Sequence, residues 1–256
     1  MSESPLLYSV ENNVAHLTIN RETQRNAISL ETIDLFLKYL DTAETDENAR
    51  VILISGAGEK AFCSGADLGG AADGTIQQGF KRYAGLLTRL SGYPKPVVAR
   101  VNGACMAGGM GLMLACDIVI AKHDAKFGTP EVNVGLWPMM IGALIFRNAM
   151  RKKAMEMILL GERLTAEQAL EMGLITRVVP SDELDREVTQ IVQNLAAKSP
   201  IGMKIGKESF YAMADMPFEE AVDFLSGKIA EVAATEDARE GITAFLEKRK
   251  PEFKGK

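Results

Sequence analysis

Val97-Val98-Ala99-Arg100-Val101-Asn102-Gly103-Ala104-Cys105-Met106-Ala107-Gly108-Gly109-Met110-Gly111 is the stretch that decides the fold. An apolar, largely β-branched run reads as a strand, small residues follow, and a helix is expected over 108–116. Similar continuous runs at 51–54 and 118–121, and a more mixed one at 174–179, read as strands covered on both faces. Val14-Ala15-His16-Leu17-Thr18-Ile19 alternates instead, as a half-exposed strand does. Between the runs lie helical patterns: 29–41 behind a Ser29 cap, 79–90 stopped by Gly92 and Pro94, and a short helix opened by a Thr165/Gln168 capping box and ended by Gly173. Strands alternating with helices predict an α/β body over residues 1–195. Strand runs then cease. Helices are expected over 182–198, 202–213 and 218–234, and a last one from Thr235 to Lys248-Arg249-Lys250, making 196–256 a helical region.

The whole chain of 256 residues carries 29 Lys+Arg against 34 Asp+Glu, a net charge of −5. That balance argues against nucleic acid as a partner, which needs a basic surface or stripe. Cys63, Cys105 and Cys116 are widely spaced with no Cys-x-x-Cys pair, so free thiols in a reducing compartment are expected and a zinc site is not. The first ten residues lack a signal-peptide pattern, and the apolar run 134–146 is too short to span a bilayer. A cytoplasmic protein with no membrane partner is the expectation.

Three glycine-rich segments follow the buried runs, where loops commonly build sites. Gly56-Ala57-Gly58-Glu59-Lys60-Ala61 matches the dinucleotide fingerprint, but Phe62-Cys63-Ser64-Gly65-Ala66-Asp67 is a weak helix former where a helix should begin. Residues 102–111 offer backbone N–H groups at a helix start, suited to an anion or oxyanion; close helix–sheet packing is the plainer reading. Phe127-Gly128-Thr129-Pro130-Glu131 sets Glu131 among Val132, Val134, Leu136, Trp137, Met139 and Met140. A carboxyl there would hold its proton to higher pH and suit acid/base work; an exposed loop glutamate is the ordinary alternative. His16 and His123 read as solvated bystanders, and no metal site is expected.

Taken together these segments resemble the crotonase superfamily, the enoyl-CoA hydratases and isomerases. The blocks that carry the resemblance run in order: Arg25-Asn26-Ala27, Gly58-x-x-Ala61-Phe62-Cys63-Ser64-Gly65-Ala66-Asp67-Leu68, residues 96–109, Cys116-Asp117-Ile118, residues 127–131, residues 160–179, and Ala244-Phe245-Leu246-Glu247-Lys248-Arg249. The resemblance implies a spiral of ββα units with a C-terminal helical trimerisation region, hence a homotrimer or a dimer of trimers. It implies an acyl-CoA substrate whose thioester oxygen lies between the N–H groups of Ala66 and Gly108, with Glu131 as acid/base. CoA would lie along Arg25, Ala27, Asp67, Leu68 and Gly69, the acyl chain against Trp137, with Phe245 and Lys248 reaching in from a neighbouring subunit. No cofactor is implied beyond the CoA moiety, and no metal. Arg25, Lys60 and Lys248 would form a basic exception on an acidic protein.

One departure bears on the reaction. The two-glutamate hydratases carry an acid where this chain has Gly111, while their second acid corresponds to Glu131. Hydration normally divides its work between both carboxylates, whereas moving a double bond needs one, abstracting and returning a proton. Gly103-Ala104-Cys105-x-Ala107-Gly108-Gly109 also resembles the mitochondrial-type isomerases. Hydration is the commoner family reaction, and Asp73 could supply a second acid, so the two reactions weigh evenly. Decarboxylation, dehydration and a non-catalytic acyl-CoA-binding paralogue are the alternatives.

Overall fold

The structure is a computed structural model that describes residues 4–67 and 76–256. A six-stranded sheet forms from β1 (Leu6–Glu11), β2 (Val14–Ile19), β3 (Val51–Gly56), β5 (Val97–Val101), β7 (Ile118–Lys122) and β10 (Arg177–Val179), adjacent in that order. Only β1 and β2 run antiparallel; the remaining pairs are parallel. A second sheet sets β4 (Ala61–Cys63), β6 (Ala104–Met106), β8 (Lys126–Gly128) and β9 (Leu164–Thr165) side by side. The chain therefore winds as a spiral: three successive turns each lay one long strand in the first sheet and one short strand in the second. Because β4, β6 and β8 are parallel, their C-terminal ends emerge on one side.

Helix α1 (Leu30–Thr45) buries Ile33, Phe36 and Leu40, and its Ser29 cap accepts the Thr32 N–H at 3.2 Å. Helix α2 (Ile76–Ser91) sets Tyr83, Leu86, Leu87 and Leu90 on its buried face. Helices α3 (Gly108–Leu114), α4 (Met139–Asn148), α5 (Arg151–Leu160) and α6 (Ala166–Glu171) complete the main core, α6 behind the expected capping box. On the other face α7 (Leu184–Ala196) packs Leu184, Val188, Ile191 and Val192 against Val14, Val51, Val98 and Ile120. Helices α8 (Pro200–Met213), α9 (Phe218–Ala233) and α10 (Glu236–Leu246) form the C-terminal group.

Two expectations need correction, and the objection to the dinucleotide fingerprint holds. The last helix stops at Leu246; Lys248 takes a left-handed φ of 54°, and Arg249 turns back to pair with Glu240 at 2.6 Å and Glu247 at 2.7 Å. His16 is half-buried rather than solvated, and burial lowers its pKa. Gly56-Ala57-Gly58 leads into strand β4, not a helix. The turn is filled by Asn26, whose side-chain amide donates to the Ala57 and Ala61 carbonyls at 3.0 and 2.7 Å, and by Asn102, which donates to Gly56 at 2.9 Å. A dinucleotide phosphate has no helix N-terminus there to bind.

Candidate active site

Each turn of the spiral delivers one candidate residue just past its short strand: Ala66 after β4, Gly108 after β6 and Glu131 after β8. Adjacent strands lie about 4.8 Å apart, so three neighbouring strand ends gather three groups in a small space.

The first arm is held by the loop before α1. Ile28 bridges to Ala66, donating to the Gly65 carbonyl at 2.8 Å and accepting from Asp67 N–H at 2.9 Å, while Ser64 N–H donates to the Arg25 carbonyl at 3.1 Å. Arg25, Ala27, Ala66 and Asp67 are thus brought together. Arg21 fixes the arrangement from behind, donating to the Ala27 carbonyl at 2.5 Å and pairing with Asp67 at 2.6 Å. Neither Arg21 nor buried Asn26 was among the expected site residues, although Asn26 sits inside a block that carries the resemblance. Leu68, Gly69 and Asp73 lie outside the described residues.

The second arm depends on backbone geometry. Ala107 takes φ 48° and ψ −126°, a region that L side chains avoid. Its N–H donates to the Gly128 carbonyl at 2.9 Å, pinning the turn to β8. Gly65, at φ 111°, lets the first arm close on this turn: a Cβ there would lie 2.8 Å from Ala107 Cβ and 3.3 Å from Gly108 N. A Cβ on Gly108 would sit 3.5 Å from Ala66 N, so the two backbone groups are near neighbours. Among the described residues neither N–H donates to a protein acceptor.

Glu131 occupies the turn Pro130–Val134, held by the Leu136 N–H donating to its carbonyl at 2.9 Å. Its carboxyl is partly buried, Oε2 is buried without a hydrogen-bond partner, and desolvation raises its pKa. That is the environment a proton-transferring carboxyl needs near neutrality. Nearby Trp137, 43 % exposed, joins Val134, Leu136 and Met139 in an uncovered apolar face.

Phe245 and Lys248 are not brought to this group. Helix α10 packs with α8 and α9, and Phe245 lines a cleft of about 380 Å³ with Ser199, Val232, Ile242 and Phe253. The residue that sequence reasoning missed outright is Tyr83. Its hydroxyl donates to the Gly108 carbonyl, and burial with the neighbouring Cys63, Cys105 and Glu131 raises its pKa well above the ordinary tyrosine value. Among the described residues no cluster of three or more His, Cys, Asp or Glu could hold a metal ion, and no helix is long and apolar enough to cross a membrane.

A spiral of strand–strand–helix turns with paired backbone donors at its strand ends defines an α/β enzyme of the crotonase fold. The enoyl-CoA hydratase/isomerase family model matches residues 9–256, and this chain belongs to that family. It is 34 % identical over 255 residues to the 2,3-dehydroadipyl-CoA hydratase of Escherichia coli, covering 99 % of this chain and 100 % of that one. It is 35 % identical over 268 residues to an Escherichia coli carnitinyl-CoA dehydratase, covering both chains fully. An enoyl-CoA hydratase structure from Mycobacterium smegmatis superposes with a TM-score of 0.94 at 34 % identity, covering 98 % of this chain and 99 % of that one.

Proposed function

We propose that the enzyme moves the double bond of an enoyl-CoA thioester, using Glu131 as its proton carrier and the N–H groups of Ala66 and Gly108 as an oxyanion hole. The observation that carries this reading is the convergence of two unspent backbone donors and one unpartnered, partly buried carboxyl at three adjacent strand ends. In a 3-enoyl thioester the Glu131 carboxylate takes the proton from the α-carbon. The electron pair of the broken C–H bond moves onto the thioester oxygen as an enolate, which both N–H groups hold. Return of the proton to the γ-carbon shifts the double bond into conjugation. Preorganised donors of this kind are each worth about 2.7–4 kcal/mol of barrier. The chemistry needs no metal and no cofactor beyond the CoA moiety.

The CoA moiety is proposed to follow Arg25, Ala27 and Asp67 onward to Leu68 and Gly69, with the acyl chain against Trp137. Phe245 and Lys248 would come from a neighbouring copy in a homotrimer or a dimer of trimers. The 81 % exposed Phe245, 82 % exposed Phe218 and 74 % exposed Leu246 on the C-terminal helices support such an assembly. A cytoplasmic location completes the proposal.

Water addition is the second reading, favoured by relatives named as hydratases. Purified enzyme with a 3-enoyl-CoA and with crotonyl-CoA separates the two. Faster formation of the conjugated 2-enoyl product supports isomerisation; faster loss of crotonyl absorbance to the 3-hydroxy product supports hydration. Turnover of neither refutes both.

A further inference from the structure

Position 111 faces α2 and α4, and any side chain there forces its neighbours to shift. A Cβ there would overlap the Tyr83 hydroxyl oxygen, lie 2.5 Å from Ile141 Cγ2 and 3.3 Å from Leu87 Cδ2. Tyr83 and Ile141 are both buried, so neither can swing out to solvent to make room. The same hydroxyl would lie 3.5 Å from a Cβ on Gly108, which places it beside one of the two proposed oxyanion donors.

We propose that Tyr83 sets the reaction outcome of this site: its hydroxyl fills the space into which a second acid at position 111 would grow, leaving Glu131 without a partner acid on α3. This inference rests on the reading of Ala66, Gly108 and Glu131 given above, and names the residue that selects between its two reactions.

The hydroxyl is a plug rather than a substitute acid. It donates its proton to the Gly108 carbonyl, so it is tied to the first residue of α3. Burial keeps it protonated, and it offers no base to activate water. Water addition needs a polar group on this wall to hold and deprotonate the nucleophile. Moving a proton between the α- and γ-carbons needs nothing from it. Reactions completed by one carboxylate are therefore selected, and the substrate class is an enoyl thioester whose double bond can move.

The test compares wild type, Tyr83→Ala, Gly111→Glu and Tyr83→Ala/Gly111→Glu for the ratio of crotonyl-CoA hydration to 3-enoyl-CoA isomerisation. The double variant is expected to raise that ratio at least tenfold, with neither single variant doing so. A folded double variant with the wild-type ratio overturns the proposal, as does Gly111→Glu alone reaching the raised ratio. A gentler pair keeps the question open to measurement if the double variant misfolds. Gly111→Ala should lower the melting temperature, and less so in a Tyr83→Phe background, where the overlapping oxygen is gone. Equal losses in both backgrounds overturn the assignment. Wild type that turns over neither substrate refutes the underlying reading instead, leaving the melting cycle to decide where the Tyr83 hydroxyl sits.

Discussion

Gly109→Ala tests whether the contact between the first two arms of the site sets catalysis. Gly109 is the second residue of α3, directly after the proposed donor Gly108, and it packs on Cys63, three residues before the proposed donor Ala66. An added Cβ would overlap the Cys63 carbonyl oxygen and lie 2.9 Å from both its carbonyl carbon and its Cβ. The two carbonyl atoms are backbone of β4, fixed by Cys63 pairing with Cys105 in the second sheet, so they cannot rotate away. Restoring ordinary separations of about 3.5 Å forces α3 and β4 roughly 1 Å apart. Overpacking of this kind costs about 1–3 kcal/mol, which at about 2–4 °C per kcal/mol lowers the melting temperature by roughly 2–12 °C. The same movement separates the two N–H groups, and a misplacement of about 1 Å costs on the order of 100-fold in rate. Thermal melting followed by circular dichroism, with kcat and KM for a 3-enoyl-CoA, measures both effects. The account requires kcat to fall more than KM rises. A Gly109→Ala enzyme that melts and turns over like wild type would refute the packing argument and the placement of the donors.

Three further outcomes follow from the same geometry. Because the Glu131 pKa is raised in the folded chain, kcat/KM should rise with pH through an apparent pKa above the ordinary carboxylate range; a flat profile across that range counts against Glu131 as the base. The raised value also means that the folded state holds a proton the unfolded state has released, so this group's contribution to stability falls as pH rises from the ordinary carboxylate value through the folded one. Glu131→Gln removes that loss: its melting temperature relative to wild type should improve on going from pH 4 to pH 8, and an unchanged difference would contradict the burial argument. Asp237 is 2 % exposed and accepts from Ser199 Oγ at 2.7 Å and Lys254 N–H at 2.7 Å, anchoring the C-terminal tail. Asp237→Ala should cost about 1.5–3 kcal/mol, read by chemical denaturation, and speed amide exchange at 254–255; unchanged exchange there would show that other contacts hold the tail.

The long strands were legible because residues 51–54 and 118–121 are continuous apolar runs, and Ser29 and Thr165 announce their helices by side chains that cap. The short strands β4, β6 and β8 were not, since three residues cannot establish a period. Yet those three strands gather the candidate site: Ala66, Gly108 and Glu131 were expected from resemblance and local composition, and only the second sheet sets their strands side by side. Tyr83 illustrates the harder case. Its helical spacing with Leu86, Leu87 and Leu90 marks it as core, and nothing in the sequence shows that its hydroxyl meets position 111 of a distant helix. Phe245 and Lys248 could not be placed from one chain at all, because α10 faces α8, α9 and open solvent.

The central claim is that a single carboxyl, Glu131, carries the proton. Conversion of a 3-enoyl-CoA to its conjugated isomer, followed by absorbance for wild type and Glu131→Gln at saturating substrate, tests it most directly. General acid–base catalysis contributes about 10²–10⁴-fold. The account predicts a loss of kcat in that range with CoA binding retained; a Glu131→Gln enzyme that isomerises at the wild-type rate would contradict it.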